Sequence, residues 1–167
     1  MVKRRFPARE LSISSATFTR ISLQTEEVND LNTTYFLNQV MGNLFHTKEQ
    51  PALPAEYYIG LSASAPTTDG GCSGEPSTAG TGYSRVKLDS LSEPEKGVIK
   101  NEAPISFNES LTSWGTMLYY IVYDAQTEGN LLFFGNLSIS RNVEPNTIIT
   151  IKTGELSIAL EPPAAEG

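Results

Sequence analysis

GTMLYYIVY (Gly115–Tyr123) is followed by DAQTEGN (Asp124–Asn130) and then by LLFFGNLS (Leu131–Ser138). The first stretch is apolar at both odd and even positions, as a central strand covered on both faces must be. The second is dense in turn formers, and the third is apolar again. Together they read as a β-hairpin, the strongest in the chain. Upstream, Val98–Phe107 holds a strand interrupted by Pro104, which marks an edge or a bulge. Tyr83–Asp89 (YSRVKLD) alternates, with Val86 and Leu88 on one face and Arg85 and Lys87 on the other. Tyr57–Leu61 (YYIGL) has the short apolar run of a buried strand. Downstream, Asn142–Asn146 turns around Pro145 and Thr147–Thr153 (TIITIKT) alternates strictly. Gly154-Glu155 turns once more, and Leu156–Leu160 (LSIAL) closes the body. No strand–helix–strand unit is present, so the strands pair antiparallel. The expected fold is mainly β: an antiparallel β-sandwich with one N-terminal helix and an extended N-terminal arm.

The helix is expected over residues 33–46 (TTYFLNQVMGNLFH). Leu37, Val40, Met41, Leu44 and Phe45 recur at spacings of three and four, which makes one apolar face. That face is expected to pack on the sheet, or else to contact another copy of the protein. Asp30, Asn32 or Thr33 can cap its start. The chain then divides into an arm (1–33), the helix (34–50), the sandwich body (51–161) and a disordered tail (162–167). Within the body, residues 62–82 are rich in glycine, serine and threonine and hold Pro66 and Pro76. They form a long loop, and loops of that length are functional or mobile.

Charge is placed unevenly along the 167 residues. Residues 1–20 carry Lys3, Arg4, Arg5, Arg9 and Arg20 against Glu10, a balance of +4. The remainder carries seven basic and eighteen acidic side chains, a balance of −11. A basic arm on an acidic body suits docking on an acidic surface, a neighbouring subunit included; a solvated tail is the plain alternative. An acidic body repels phosphate, and only Phe6 interleaves the basic cluster, so nucleic acid is not the expected partner. Residues 11–23 (LSISSATFTRISL) alternate and are rich in β-branched side chains, as a segment that adds to a sheet would be. The expected assembly contacts are therefore Lys3, Arg4, Arg5, Arg9, Ile13, Phe18 and Ile21. No run of about 18 apolar residues exists to cross a membrane as a helix.

Little in the sequence suggests chemistry. His46 is the one histidine and Cys72 the one cysteine, so an internal disulfide is impossible and the usual Cys/His zinc site is out. His46 lacks a nameable nucleophile or orienting partner. Cys72, in DGGCSGEP, has no basic neighbour in sequence to lower its pKa, and this loop lacks the Gly-x-Ser-x-Gly spacing of a serine nucleophile. Asp69 and Glu75 lie in the same loop, but no Asp-x-Asp-x-Asp run accompanies them for calcium. No catalytic residue, cofactor or metal is expected. Trp114 at a strand start is most simply a core plug; with Tyr119 it is also the one candidate for stacking on a sugar.

The order of several short segments is distinctive. An apolar helix leads through a proline linker to YYIGLS (57–62) and then to an Ala-Pro-Thr-rich loop ending in GYSRV (82–86). WGT (114–116) leads to IVYDA (121–125), and GNLLFFG (129–135) precedes Leu137. Across residues 35–160 this resembles a family of small tailed-bacteriophage virion proteins labelled tail-fibre-like, the mycobacteriophage Gp80-like group. The resemblance implies a structural subunit of the tail, baseplate or fibre apparatus, with a capsid decoration protein as the alternative in the same class. A carbohydrate-binding module that contacts the host surface, using Trp114 and Tyr119, is the alternative of another class. It further implies a place in the virion after synthesis in the bacterial host cytoplasm, and no enzymatic activity. The implied partners are other virion proteins (tail, baseplate or major capsid protein) and further copies of the chain, trimers being usual for fibres and many decoration proteins. The basic arm and Cys72 depart from the family pattern.

Overall fold

The computed structural model describes residues 21–22, 31–46 and 52–159. In chain order the strands are β1 (Ile21–Ser22), β2 (Leu31–Asn32), β3 (Tyr58–Ser62), β4 (Val86–Lys87), β5 (Val98–Lys100), β6 (Ile105–Ser106), β7 (Gly115–Tyr123), β8 (Leu131–Val143), β9 (Thr150–Ile151) and β10 (Leu156–Ala159). One helix, α1 (Thr34–Leu44), lies between β2 and β3. The fold is mainly β, as the hairpin reading requires.

The expected hairpin is the centre of the molecule. β7 and β8 pair antiparallel and lie inside a five-stranded sheet of order β2-β8-β7-β3-β4, every pair of which is antiparallel. Two smaller sheets accompany it, β6-β9 and β1-β10-β5. The pleat sends alternate side chains of β7 to opposite faces. Tyr120 and Val122, with Ile59 and Leu61 of β3, share one core with Ile105, Ile151 and Leu156 of the smaller sheets. This is the sandwich. Ile121 and Tyr123 point the other way and form a second cluster with Leu131 and Phe134, on which Cys72 of the 62–82 loop packs. Both faces of the central strand are thus covered over Tyr120–Tyr123, which explains its two-sided apolar sequence there.

Gly135 sits opposite Tyr120 in the β7–β8 register. A Cβ built there would fall 2.6 Å from Cε1 and 2.7 Å from Cζ of the buried Tyr120 ring. The ring lies flat across a strand that has no side chain at that point, so glycine is needed for space. Lower in the hairpin the partner of β7 jumps from Asn136 to Arg141 between Tyr119 and Met117. The extra β8 residues form a wide irregularity that turns Ile139 outward beside exposed Leu118.

Several boundaries differ from the sequence reading for local reasons. β8 runs on to Val143, so the turn expected over Asn142–Asn146 contracts to its last residues, with Asn146 in the left-handed region at φ 63°. Of TIITIKT, only Thr150–Ile151 forms a regular strand. The rest still bonds, Phe107 N to Ile149 O and Ser110 N to Thr147 O, but without ladder regularity. Of YSRVKLD, only Val86–Lys87 pairs, and Arg85 is buried rather than solvated. Pro104 separates two strands that belong to different sheets, β5 and β6. The extended segment expected around residues 11–23 is represented by β1, which pairs parallel with β10 of its own chain, Ile21 opposite Leu156.

Candidate assembly surface

The position of α1 is fixed at its first turn. Thr33 is fully buried; its N–H donates to Leu132 O at 2.9 Å and its hydroxyl donates to Leu131 O at 2.6 Å. The same hydroxyl oxygen accepts from Phe36 N at 3.2 Å, which makes Thr33 the N-cap. Thr34 N donates to Thr68 O, the Tyr35 hydroxyl approaches Asp124, and the Phe36 ring meets Phe133 edge to face at 5.8 Å. The helix therefore leaves the β2 edge of the large sheet in one fixed rotation. It ends at Phe45, after which His46 turns the chain in the left-handed region at φ 51°.

That rotation corrects the expectation for the apolar stripe. Gln39 and Gly42 are the buried residues of α1. Leu37, Met41, Leu44 and Phe45 are 48 to 65% exposed. At about 100° per residue these four fall within a sector about 100° wide, opposite the Gln39–Gly42 side. The stripe is turned away from the sheet because Thr33, Tyr35 and Phe36 hold the first turn against β8 and the β7–β8 turn. The helix meets β8 through Phe36, off the stripe, and of the stripe only Val40 is half-buried. From Leu31 to Phe45 the chain carries no charged side chain, so this exposed strip is apolar and neutral on a chain of net charge −7.

The long loop is ordered by an ion pair. Glu75 accepts from Arg85 through both oxygens, Nε to Oε1 at 2.7 Å and Nη2 to Oε2 at 2.7 Å. Arg85 Nη1 donates to the carbonyls of Ala125 (3.0 Å) and Glu128 (2.6 Å), and the guanidinium lies 3.3 Å from the centre of the Tyr123 ring. The Tyr83 hydroxyl donates to Glu75 at 2.9 Å and accepts from Leu61 N at 3.0 Å. Arg85 thus ties the loop to the β7–β8 turn, and Tyr83 ties it to β3. Sequence alternation placed Arg85 on the face opposite Val86; its burial there depends on Glu75, ten residues away, and no local pattern announces that partner.

Burial, and then the Glu75 charge, push the Tyr83 phenol well above its ordinary value. Burial, and then Cys72, do the same for Tyr123. Both phenols stay neutral in the folded chain at pH values where the unfolded chain ionises them from about pH 10. Stability from this source is complete below pH 10 and is lost as pH rises further. Each of the two tyrosines lowers stability by about 1.4 kcal/mol per pH unit above that point. Urea unfolding between pH 9 and 11.5 measures the slope, and Tyr83→Phe should make it shallower. A flat profile contradicts the burial of both phenols.

Lys3, Arg4, Arg5, Arg9, Ile13 and Phe18 lie outside the described residues; Ile21 is the first described residue, in β1. Trp114 is 7% exposed, its indole N–H donates to Thr81 O at 2.9 Å, and its ring meets Tyr83 edge to face at 5.2 Å. That leaves the indole no open face for a sugar, and Tyr119, farther along β7 between Ser62 and Asn136, is half-buried. His46 stands exposed after α1, far in sequence from half-buried Cys72, which packs on the second core cluster. Glu75 is taken up by Arg85, and Asp69 accepts from Thr67 in a local turn. Among the described residues no cluster of three or more His, Cys, Asp or Glu is placed to hold a metal ion. The surface feature that stands out is the α1 stripe. It was legible as a stripe, with an outward face as the second of its two readings.

A family model described as podophage GP4 fiber I protein gp80 matches residues 32–159. The match runs from the end of β2 to the end of β10. Comparison with curated proteins finds no match.

Proposed function

The chain belongs to the Gp80 family of podophage fibre proteins, and from that premise we propose that it is a non-enzymatic subunit of the tail, baseplate or fibre apparatus, held there by its basic N-terminal arm. Membership makes it a tail-fibre-associated structural protein of a tailed phage; the site and the mode of attachment are the proposed part. The observation that carries the proposal is the outward apolar face of α1. A chain that worked alone would gain by turning Leu37, Met41, Leu44 and Phe45 inward, because each large side chain buried contributes about 1.5–3 kcal/mol. A subunit of a particle keeps such a face for its neighbours. The +4 arm before an acidic body supports a second, electrostatic attachment, and many copies of a modest contact add up to firm attachment. The burial of Trp114 removes the main support for a carbohydrate-binding module.

Anchoring is tested by deleting residues 1–20. The cut leaves β1, β2 and the Thr33 cap in place, whereas removing all of 1–33 would also take β2 and the cap from the body. Particles assembled with the shortened chain as sole source should contain less than a tenth of the normal copy number. The isolated variant should melt cooperatively near the full chain's temperature. Full incorporation of the variant overturns anchoring by the arm. Absence of the full-length chain from particles overturns the structural role itself.

A further inference from the structure

We propose that α1 is a self-association surface, its exposed stripe packing against the α1 stripe of a second copy of this chain. The inference rests on the assembly role proposed above and names the partner at that surface. Three observations favour a second copy. First, pairing two copies brings one acidic chain against another, so it is favoured where the contact face itself carries no charge. This chain carries a net charge of −7, yet Leu31–Phe45 holds no charged side chain. A neutral strip on an acidic protein is where two copies can approach without repulsion, whereas a strongly basic partner would be recognised by an acidic surface. Second, the stripe has the geometry of a helix-pairing seam. Leu37, Met41 and Leu44 follow at spacings of four and three, and Phe45 flanks Met41. Third, the area suffices. The four side chains expose on the order of 500 Å², so pairing hides roughly 1,000 Å² in total, the lower bound of a specific interface. Leu37, Met41, Leu44 and Phe45 are also held on one rigid helix by the Thr33 cap, so little ordering is needed on contact.

The test uses the isolated full chain in solution, so it can fail independently of any measurement on particles. Light scattering after gel filtration at about 50 μM, well above a weak-interface dissociation constant, should give two or more times the chain mass of 18.2 kDa. Met41→Lys combined with Leu44→Lys should return the mass to one chain. Both residues are exposed, and lysines near a helix C-terminus favour its dipole, so the helix should be retained. In a Cys72→Ser background, Met41→Cys should form a disulfide-linked dimer on mild oxidation, at least tenfold faster than Leu111→Cys. Leu111 is more exposed than Met41 but lies outside the stripe. A single-chain mass for the unaltered protein, an oligomer that survives the two lysines, or equal cross-linking at both cysteines would each overturn the proposal.

Discussion

Replacing Arg85 with methionine is expected to lower stability by about 3–5 kcal/mol, the cost of leaving one partner of a buried ion pair alone. The size of the effect follows from what the guanidinium touches. It neutralises Glu75, satisfies the carbonyls of Ala125 and Glu128, and covers the Tyr123 ring. Methionine fills part of the volume but leaves the carboxylate and both carbonyls without these donors. At about 3 °C per kcal/mol for a domain of this size, the melting temperature should fall by roughly 10–15 °C. Glu75→Gln in the Arg85→Met background should recover part of the loss, because it removes the stranded charge. Thermal melts of the three proteins test this, and equal melting temperatures would show that the pair does not hold the loop. The consequence is local as well as global. Residues 62–82 cover one face of β7, so freeing them exposes the cluster of Ile121, Tyr123, Leu131 and Phe134. Hydrogen exchange should rise first along that face.

Trp114→Ala should cost a similar amount, about 3–5 kcal/mol, as large aromatic truncations in cores do. The indole fills the space beside Tyr83 and carries the bond to Thr81 O that fixes the end of the same loop. Trp114→Phe keeps most of the volume and loses the N–H donor, so it should cost about 1–2 kcal/mol. The pair of variants separates filling from hydrogen bonding by denaturant titration. If alanine costs less than about 1 kcal/mol, Trp114 is not the plug described here.

How much was legible follows from the range of the signals. The β7–β8 hairpin is written in adjacent residues, two apolar runs and a turn, and it forms as read. The helix is likewise local: its spacing and the Thr33 cap both lie within one stretch. Its orientation is not local. Which face turns inward depends on Thr68, Asp124 and Leu131, residues 34 to 98 positions away that the helix sequence does not mention. The stripe turns outward because the contacts that fix the helix are made by Thr33, Tyr35 and Phe36, which lie off it. Arg85 shows the same limit. Alternation gave its parity correctly, opposite to Val86, but the far face was covered by a loop and not by water. TIITIKT shows a third case, in which strict alternation persists where only two residues find a regular partner strand, because β6 ends at Ser106.

The arm is the region where charge spoke more clearly than geometry, since its basic residues fall outside the described part of the chain. Of its described residues, Ile21–Ser22 pair with β10 and Leu31–Asn32 with β8, so the arm is joined to two of the body's sheets.

The central claim, a structural place in the tail, is tested most directly by separating purified virions into heads and tails and quantifying the chain in each by mass spectrometry. The account predicts the chain in the tail fraction, in constant ratio to other tail proteins. Recovery with the heads would contradict it and make the chain a decoration subunit of the capsid.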